Sequence, residues 1–185
     1  MKLELSSQYD IPGTADPILT YEKHCLKSSG CPLNTLGKLG NETSLLEENF
    51  EGDVLERKVA LKPDPKALPG FVRALVGDDA TACTQIVSYN FKTHTGTTET
   101  RMDRAFARDK ISIRGTFALR SAGASSPRTI FFDSSQDIES SVFMIGGKIE
   151  KSVVSEFAGR NPEVRDLNLA WIEKEVAAEE GSENV

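Results

Sequence analysis

The sequence predicts an α+β fold in which a curved antiparallel sheet wraps around a long C-terminal helix, with two short helical segments alongside. Three observations predict it. Over residues 80–142 apolar and polar side chains alternate through successive runs separated by turn residues, the period of half-buried strands. From Ile149 onward the apolar spacing becomes that of a helix. Between the two lies the stretch 141–152, where Gly146 and Gly147 let the backbone turn sharply and a helix begin close against a sheet. A helix that arrives after a curved sheet fills or caps its concave face, and such a geometry often leaves a cavity. The chain reads as a container whose contents the sequence does not name.

The elements follow in order. Leu3, Leu5, Ser7 and Tyr9 alternate with polar neighbours as a first strand, which Ile11-Pro12-Gly13 ends. Asp16 can cap a helix whose first position suits Pro17. Ile18, Leu19, Glu22, Cys25 and Leu26 make that helix short and weakly amphipathic, with Gly30 or Pro32 stopping it. Two edge-like strands, residues 42–50 and 54–62, meet at the turn Glu51-Gly52-Asp53, with Leu55, Val59 and Leu61 on the inner face. Residues 62–65, Lys-Pro-Asp-Pro, break the pairing.

Residues 67–77 carry the clearest amphipathic helix. Leu68, Phe71, Val72, Leu75 and Val76 share one face and Gly77 suits the C-terminal cap, so the segment either plugs one end of the core or forms a mobile lid. The meander follows. Val87, Tyr89 and Phe91 alternate, 93–96 turns, and Met102, Arg104 and Phe106 alternate again. Ile111, Ile113, Gly115, Phe117 and Leu119 form the next strand, with Gly115 marking a bend. A flexible loop at 121–127 leads to Ile130, Phe132 and Ile138. In the final helix Ile149, Val153, Val154 and Phe157 share a face. Gly159-Arg-Asn-Pro162 is expected to interrupt it before Val164, Leu167 and Trp171 carry the stripe onward. The reading is one domain over residues 1–178 and an acidic, frayed tail over 179–185.

With 185 residues, 38% of them hydrophobic, the chain supports one core and not two. A net charge of −6 argues against nucleic acid, whose phosphates call for a basic face. No apolar run reaches the roughly 18–20 residues of a membrane span, and the N-terminus has no apolar signal core, so the expected location is cytoplasmic. Cys25, Cys31 and Cys83 read as reduced, packed thiols, with a Cys25–Cys31 bridge left open.

The order of elements resembles the START-like, polyketide-cyclase-like helix-grip superfamily, often labelled SRPBCC. Residues 68–78 (LPGFVRALVGD), 114–117 (RGTF) and 145–151 (IGGKIEK) look like a largely bacterial branch of it of unknown function. The resemblance covers roughly residues 1–176 and rests on structural junctions, not catalytic signatures. It implies a seven-stranded antiparallel sheet gripping the last helix, with a hydrophobic pocket between them. The break at 159–162 departs from the uninterrupted helix of that pattern, and the hairpin at 36–50 is less regular than it. A weaker resemblance is to PRELI-like phospholipid-transfer proteins, which share the order of elements.

The residues that carry chemistry are sparse. His24 and His94 have no local carboxylate or cysteine at ligand spacing, no nucleophile elbow or phosphate loop occurs, and no catalytic residue, metal or cofactor is expected. Arg101, Arg104, Arg108, Arg114, Arg120 and Arg128 concentrate in the meander of an acidic chain. They read either as cross-strand partners of Glu99, Asp103 or Asp109 or as a strip for lipid head groups or a membrane surface, with Arg104 the inward candidate.

The expected ligand-binding residues are Phe71, Leu75, Tyr89, Phe91, Met102, Arg104, Phe106, Ile113, Phe117 and Phe132 from the sheet side. Ile149, Val153 and Phe157 face them from the helix. The expected function is binding or transport of a hydrophobic small molecule or lipid, with transient membrane contact and no nucleic-acid partner. A cyclase- or hydratase-like enzyme and a cavity-free interaction module are the alternatives.

Overall fold

The computed structural model describes residues 1–13, 16–62, 82–103 and 108–182. Among them, β1 (Lys2–Asp10) leads to α1 (Pro17–Tyr21), which runs on as a π-helical turn (Glu22–Leu26), and α2 (Gly30–Lys38) follows. Six further strands come next: β2 (Glu42–Glu51), β3 (Val54–Lys62), β4 (Cys83–Asn90), β5 (Thr95–Met102), β6 (Ile111–Ser121) and β7 (Thr129–Ser140). Helix α3 (Gly146–Ser182) closes the chain. The predicted helix at 67–77, with Phe71 and Leu75, lies outside the described residues, as do Arg104 and Phe106.

The sheet is antiparallel throughout, in the order β1-β7-β6-β5-β4-β3-β2. The expected curved sheet gripping a long final helix is therefore present. Side-chain alternation decides which face the helix covers. Tyr9, Ile130, Leu119, Phe117, Tyr89 and Leu55 are all buried and all point to one face, where they join Ile172 of α3 and Cys25 and Cys31 of the short helices in one core. Each such side chain removed from water contributes about 1.5–3 kcal/mol.

Local chemistry explains the elements. Asp16 caps α1 by accepting from Leu19 N (3.1 Å), with Pro17 at the first helical position. The turn between β2 and β3 places Gly52 at φ +58°. The irregularity expected in this hairpin is a register shift between Leu45 and Glu47, which bends the edge strand and interrupts a ready template for further pairing. Gly146 is required by close approach: a Cβ there would collide with the Ser140 carbonyl oxygen, whereas Gly147 has open space around it.

Two expectations are corrected. Gly30 and Pro32 do not end helical structure but open α2, because a proline near the start of a helix removes only an N–H that has no intrahelical partner. The second correction concerns Gly159–Pro162. Helix α3 runs through it without a break, and Pro162 sits in its interior. On either side the helix is fixed to the rest of the protein. Ser7 Oγ donates to Asn161 Oδ1 (3.0 Å), the Arg160 guanidinium donates to the Leu39 carbonyl (2.7 Å), and Thr35 Oγ1 donates to Asn168 Oδ1 (2.8 Å). Such tertiary bonds hold a helix together across a residue that costs it one internal bond. Along the continuous helix Ile172 is fully buried, Leu169, Trp171 and Val176 pack against the same core, and Asn161 and Asn168 face inward to bond Ser7 and Thr35. Helical structure continues to Ser182, and Glu179, assigned from composition to the tail, is paired with Lys23 at 2.6 Å.

Candidate functional site

The face gripped by α3 divides into a closed part and a looser part. The closed part is aromatic. Tyr89 stacks on Phe117 (5.6 Å between ring centres), Phe117 on Phe132 (5.2 Å), and Tyr21 lies 6.2 Å from Phe132 and 5.1 Å edge-on from Tyr9. Phe91 meets Tyr89 edge-on at 5.0 Å. Such pairs contribute about 0.5–1.5 kcal/mol each beyond simple burial. Of the ligand-binding residues expected from the sequence, Tyr89, Ile113, Phe117 and Ile149 are buried. Phe91, Met102, Phe132 and Val153 are half-buried, and Phe157 is exposed. The first group packs against the protein's own side chains; the second retains accessible apolar surface.

The looser part holds Leu3 and Leu5 of β1, Gln85 and Val87 of β4, Thr98, Thr100 and Met102 of β5, and Gln136 of β7, all half-buried although they point to the gripped face. Its floor is polar at one spot. The Gln136 amide lies over Gly115, where a Cβ would collide with it, and exchanges hydrogen bonds with Thr98 Oγ1 at 3.3–3.4 Å. The glycine read as a bend thus also makes room for an amide. A mostly apolar surface with a few fixed polar groups is the usual composition of a small-molecule site.

A separate trough of about 890 Å³ lies on the opposite face of the sheet. Glu4, Ser6, Ser88, Thr97, Thr116 and Ser135 line it, and the strand register points all of them away from α3. It is a surface groove bearing several hydroxyls, and Leu5, Gly96, Phe117 and Ser134 of the gripped face also border it.

Both histidines have carboxylate partners, contrary to the expectation that they stand alone. His94 Nδ1 lies 2.7 Å from Glu22 Oε1, and the Tyr89 hydroxyl donates to the same oxygen at 2.7 Å. Glu22 is 2% exposed, while the His94 side chain is 35% exposed, so the cluster is closed at the carboxylate and open at the imidazole. Burial, followed by the bond and charge of Glu22, pushes the Tyr89 phenol well up. Two uncommon backbone features frame the cluster: Glu22 opens the π-helical turn and His94 has φ +56°. His24 is buried, its Nε2 3.8 Å from Glu179 Oε2. Sequence spacing missed these pairs because 72 positions separate His94 from Glu22. The available signal was that Glu22 falls on the apolar stripe of α1.

The inward arginine among the described residues is Arg57, 4% exposed on the same strand face as Leu55 and Val59. Its Nε donates to Glu48 (2.6 Å) and its Nη2 to the Leu26 carbonyl (2.6 Å). The meander arginines form ion pairs on the outside: Arg101 and Arg114 with Glu99, and Arg120 with Asp133. Cys25 and Cys31 are free thiols with their sulfurs 2.9 Å apart, and the Cys31 thiol and burial both push the Cys25 thiol up. Among the described residues no group of histidines, cysteines and carboxylates is placed to hold a metal, and no helix is long and apolar enough to cross a membrane.

Comparison with known proteins agrees with this architecture. A family model described as "Protein of unknown function (DUF2505)" matches residues 33–172. The fold is similar to that of TTHA0849 from Thermus thermophilus, with a TM-score of 0.59 at 11% identity, covering 94% of this chain and 98% of that one. It is also similar to Ara h 8.0201, with a TM-score of 0.54 at 12% identity and the same coverages, 94% and 98%. A START superfamily protein from Mycobacterium smegmatis aligns over 92% of this chain and 97% of its own at a TM-score of 0.48 and 12% identity. No curated protein matches the chain in sequence. The fold read from the sequence, a seven-stranded antiparallel sheet gripping a long final helix, is the fold of this chain.

Proposed function

The chain belongs to the DUF2505 family, and from that premise we propose that it binds a hydrophobic small molecule or lipid between its sheet and helix α3. One observation carries the reading. Leu3, Leu5, Val87, Met102 and Val153 remain half-buried on the gripped side, next to the Thr98–Gln136 pair, while the aromatic part beside them is closed. A ligand covering that surface gains about 0.8 kcal/mol per buried CH₂, and the amide–hydroxyl pair gives a polar end something to bond. The ligand-contacting residues on this reading are Leu3, Leu5, Val87, Met102 and Val153. Displacement of a fluorescent fatty acid, together with native mass spectrometry of the purified protein, tests it. Val87→Trp should abolish uptake without unfolding the protein. Wild-type protein that takes up no dye and carries no extractable ligand refutes the reading.

A second reading, acid–base catalysis, is favoured by one observation: His94 Nδ1 lies 2.7 Å from the buried Glu22 carboxylate while the imidazole is 35% exposed, the pairing of a base with the group that orients it. Glu22 and Tyr89 are closed to solvent, so His94 alone would meet a substrate. Unchanged dye binding by His94→Ala would separate this cluster from the lipid site.

A further inference from the structure

The loop between β7 and α3 presents two large apolar side chains outward. Phe143 is 87% exposed and Met144 85%, the two highest values among the exposed large hydrophobic residues of the described chain. The tip is held in place. Met144 adopts φ +64°, the turn is closed by Gly146 N and Ile145 N donating to the Val142 carbonyl (2.8 and 3.3 Å), and Ser141 N donates to the Lys110 carbonyl (2.8 Å). A non-glycine residue in the left-handed region persists only where its surroundings enforce it.

The exposed charges around this tip are mixed with cations in the majority, in a chain of net charge −6. Arg108, Lys110, Lys148 and Lys151 are exposed at this end, the last two sharing a helix face three residues apart. Exposed Asp109 and Glu139 also lie here, and Asp103 is bonded by Thr84 (3.1 Å). Glu150, the acid between the two lysines, is turned inward, accepting from Ser140 N at 2.9 Å and lying 3.5 Å from the Met1 ammonium.

We propose that the β7–α3 loop is a docking wedge for an anionic lipid bilayer, with Phe143 and Met144 inserting between head groups and Lys110, Lys148 and Lys151 meeting the phosphates. Two side chains on a convex tip offer far less than the roughly 800 Å² per partner of a stable protein interface. They match what an interface of lipid head groups accepts: apolar tips flanked by cations. The purpose of the contact, delivery or collection of a hydrophobic molecule, rests on the function proposed above; its geometry does not.

Co-sedimentation of the full chain with phosphatidylcholine vesicles, with and without phosphatidylglycerol, tests the wedge. Dye displacement without vesicles reads the internal site separately. Wild-type protein should pellet with the anionic vesicles and far less with the neutral ones. Phe143→Ser/Met144→Ser should weaken vesicle binding by roughly a hundredfold. Lys148→Glu/Lys151→Glu should weaken it by roughly tenfold or more and remove the anionic preference. Both variants should take up dye like wild type. Wild-type protein that stays in solution with both vesicle types, or a serine variant that pellets like wild type, overturns the wedge whatever the dye result.

Discussion

Raising the pH should unfold this protein before it ionises its tyrosines. All three tyrosines of the chain, Tyr9, Tyr21 and Tyr89, are buried to within 3% of full closure. Burial pushes the Tyr9 phenol up from 10.0 to about 12, a rise that hydrogen bonds to Asn168 and Tyr21 only partly oppose. Tyr21 and Tyr89 are raised as well, each chiefly by burial. Below pH 10 the folded and unfolded chains both keep these protons, and the burial contributes in full. Between 10 and the raised folded value, the unfolded chain releases them and the folded chain does not, so stability falls as pH rises. For Tyr9 a rise of two units, at about 1.4 kcal/mol per unit, removes about 3 kcal/mol, and the other two phenols act in the same direction. Against a typical total of about 5–15 kcal/mol, that is enough to bring on cooperative alkaline unfolding. Tyrosinate absorbance and far-ultraviolet circular dichroism, followed together through a pH titration, check it: all three phenols should appear in one step, coincident with loss of structure. A phenol that titrates near its ordinary value while the fold stays intact refutes the reasoning.

Three further outcomes are expected. Glu22→Ala should cost about 1–3 kcal/mol in denaturant unfolding, because it strips the buried Tyr89 hydroxyl of its acceptor, and Glu22→Gln should restore most of the loss. Gly146→Ala should destabilise by about 1–3 kcal/mol through its collision with the Ser140 carbonyl, whereas Gly147→Ala, in open space within the same helix, should raise the melting temperature. Phe117→Trp should lose about 1–3 kcal/mol, since the ring is stacked between Tyr89 and Phe132; a neutral result would reveal a void beside it.

Periodicity made the strands and the fold class legible, because a strand face is written in every second residue. Leu55, Val59, Tyr89, Phe117 and Ile130 read correctly as inward for that reason. Helix α3 was legible in existence and only partly in its inward face. Ile149 and Trp171 were read correctly as facing the core, but its inward positions 161 and 168 are asparagines that answer Ser7 and Thr35, so hydropathy did not mark them, and Ile172 was passed over. Helix α2 was missed because glycine and proline were read as stops where they serve as a start. The Glu22–Tyr89–His94 cluster was invisible for a different reason: its members meet only when α1 docks over the turn between β4 and β5. Spacing along a chain carries no record of such a meeting.

The strand order has a consequence for the life of the chain. β1 is made before the other strands, yet the strand it pairs with is β7, residues 129–140, so an edge carrying Leu3, Leu5 and Tyr9 waits unpaired until the five strands between them and β7 itself have left the ribosome. Contacts of that separation slow the search for the native state. A nascent or truncated chain that ends before β7 will expose that edge to other strands, and a chaperone that binds extended apolar segments has its clearest target there.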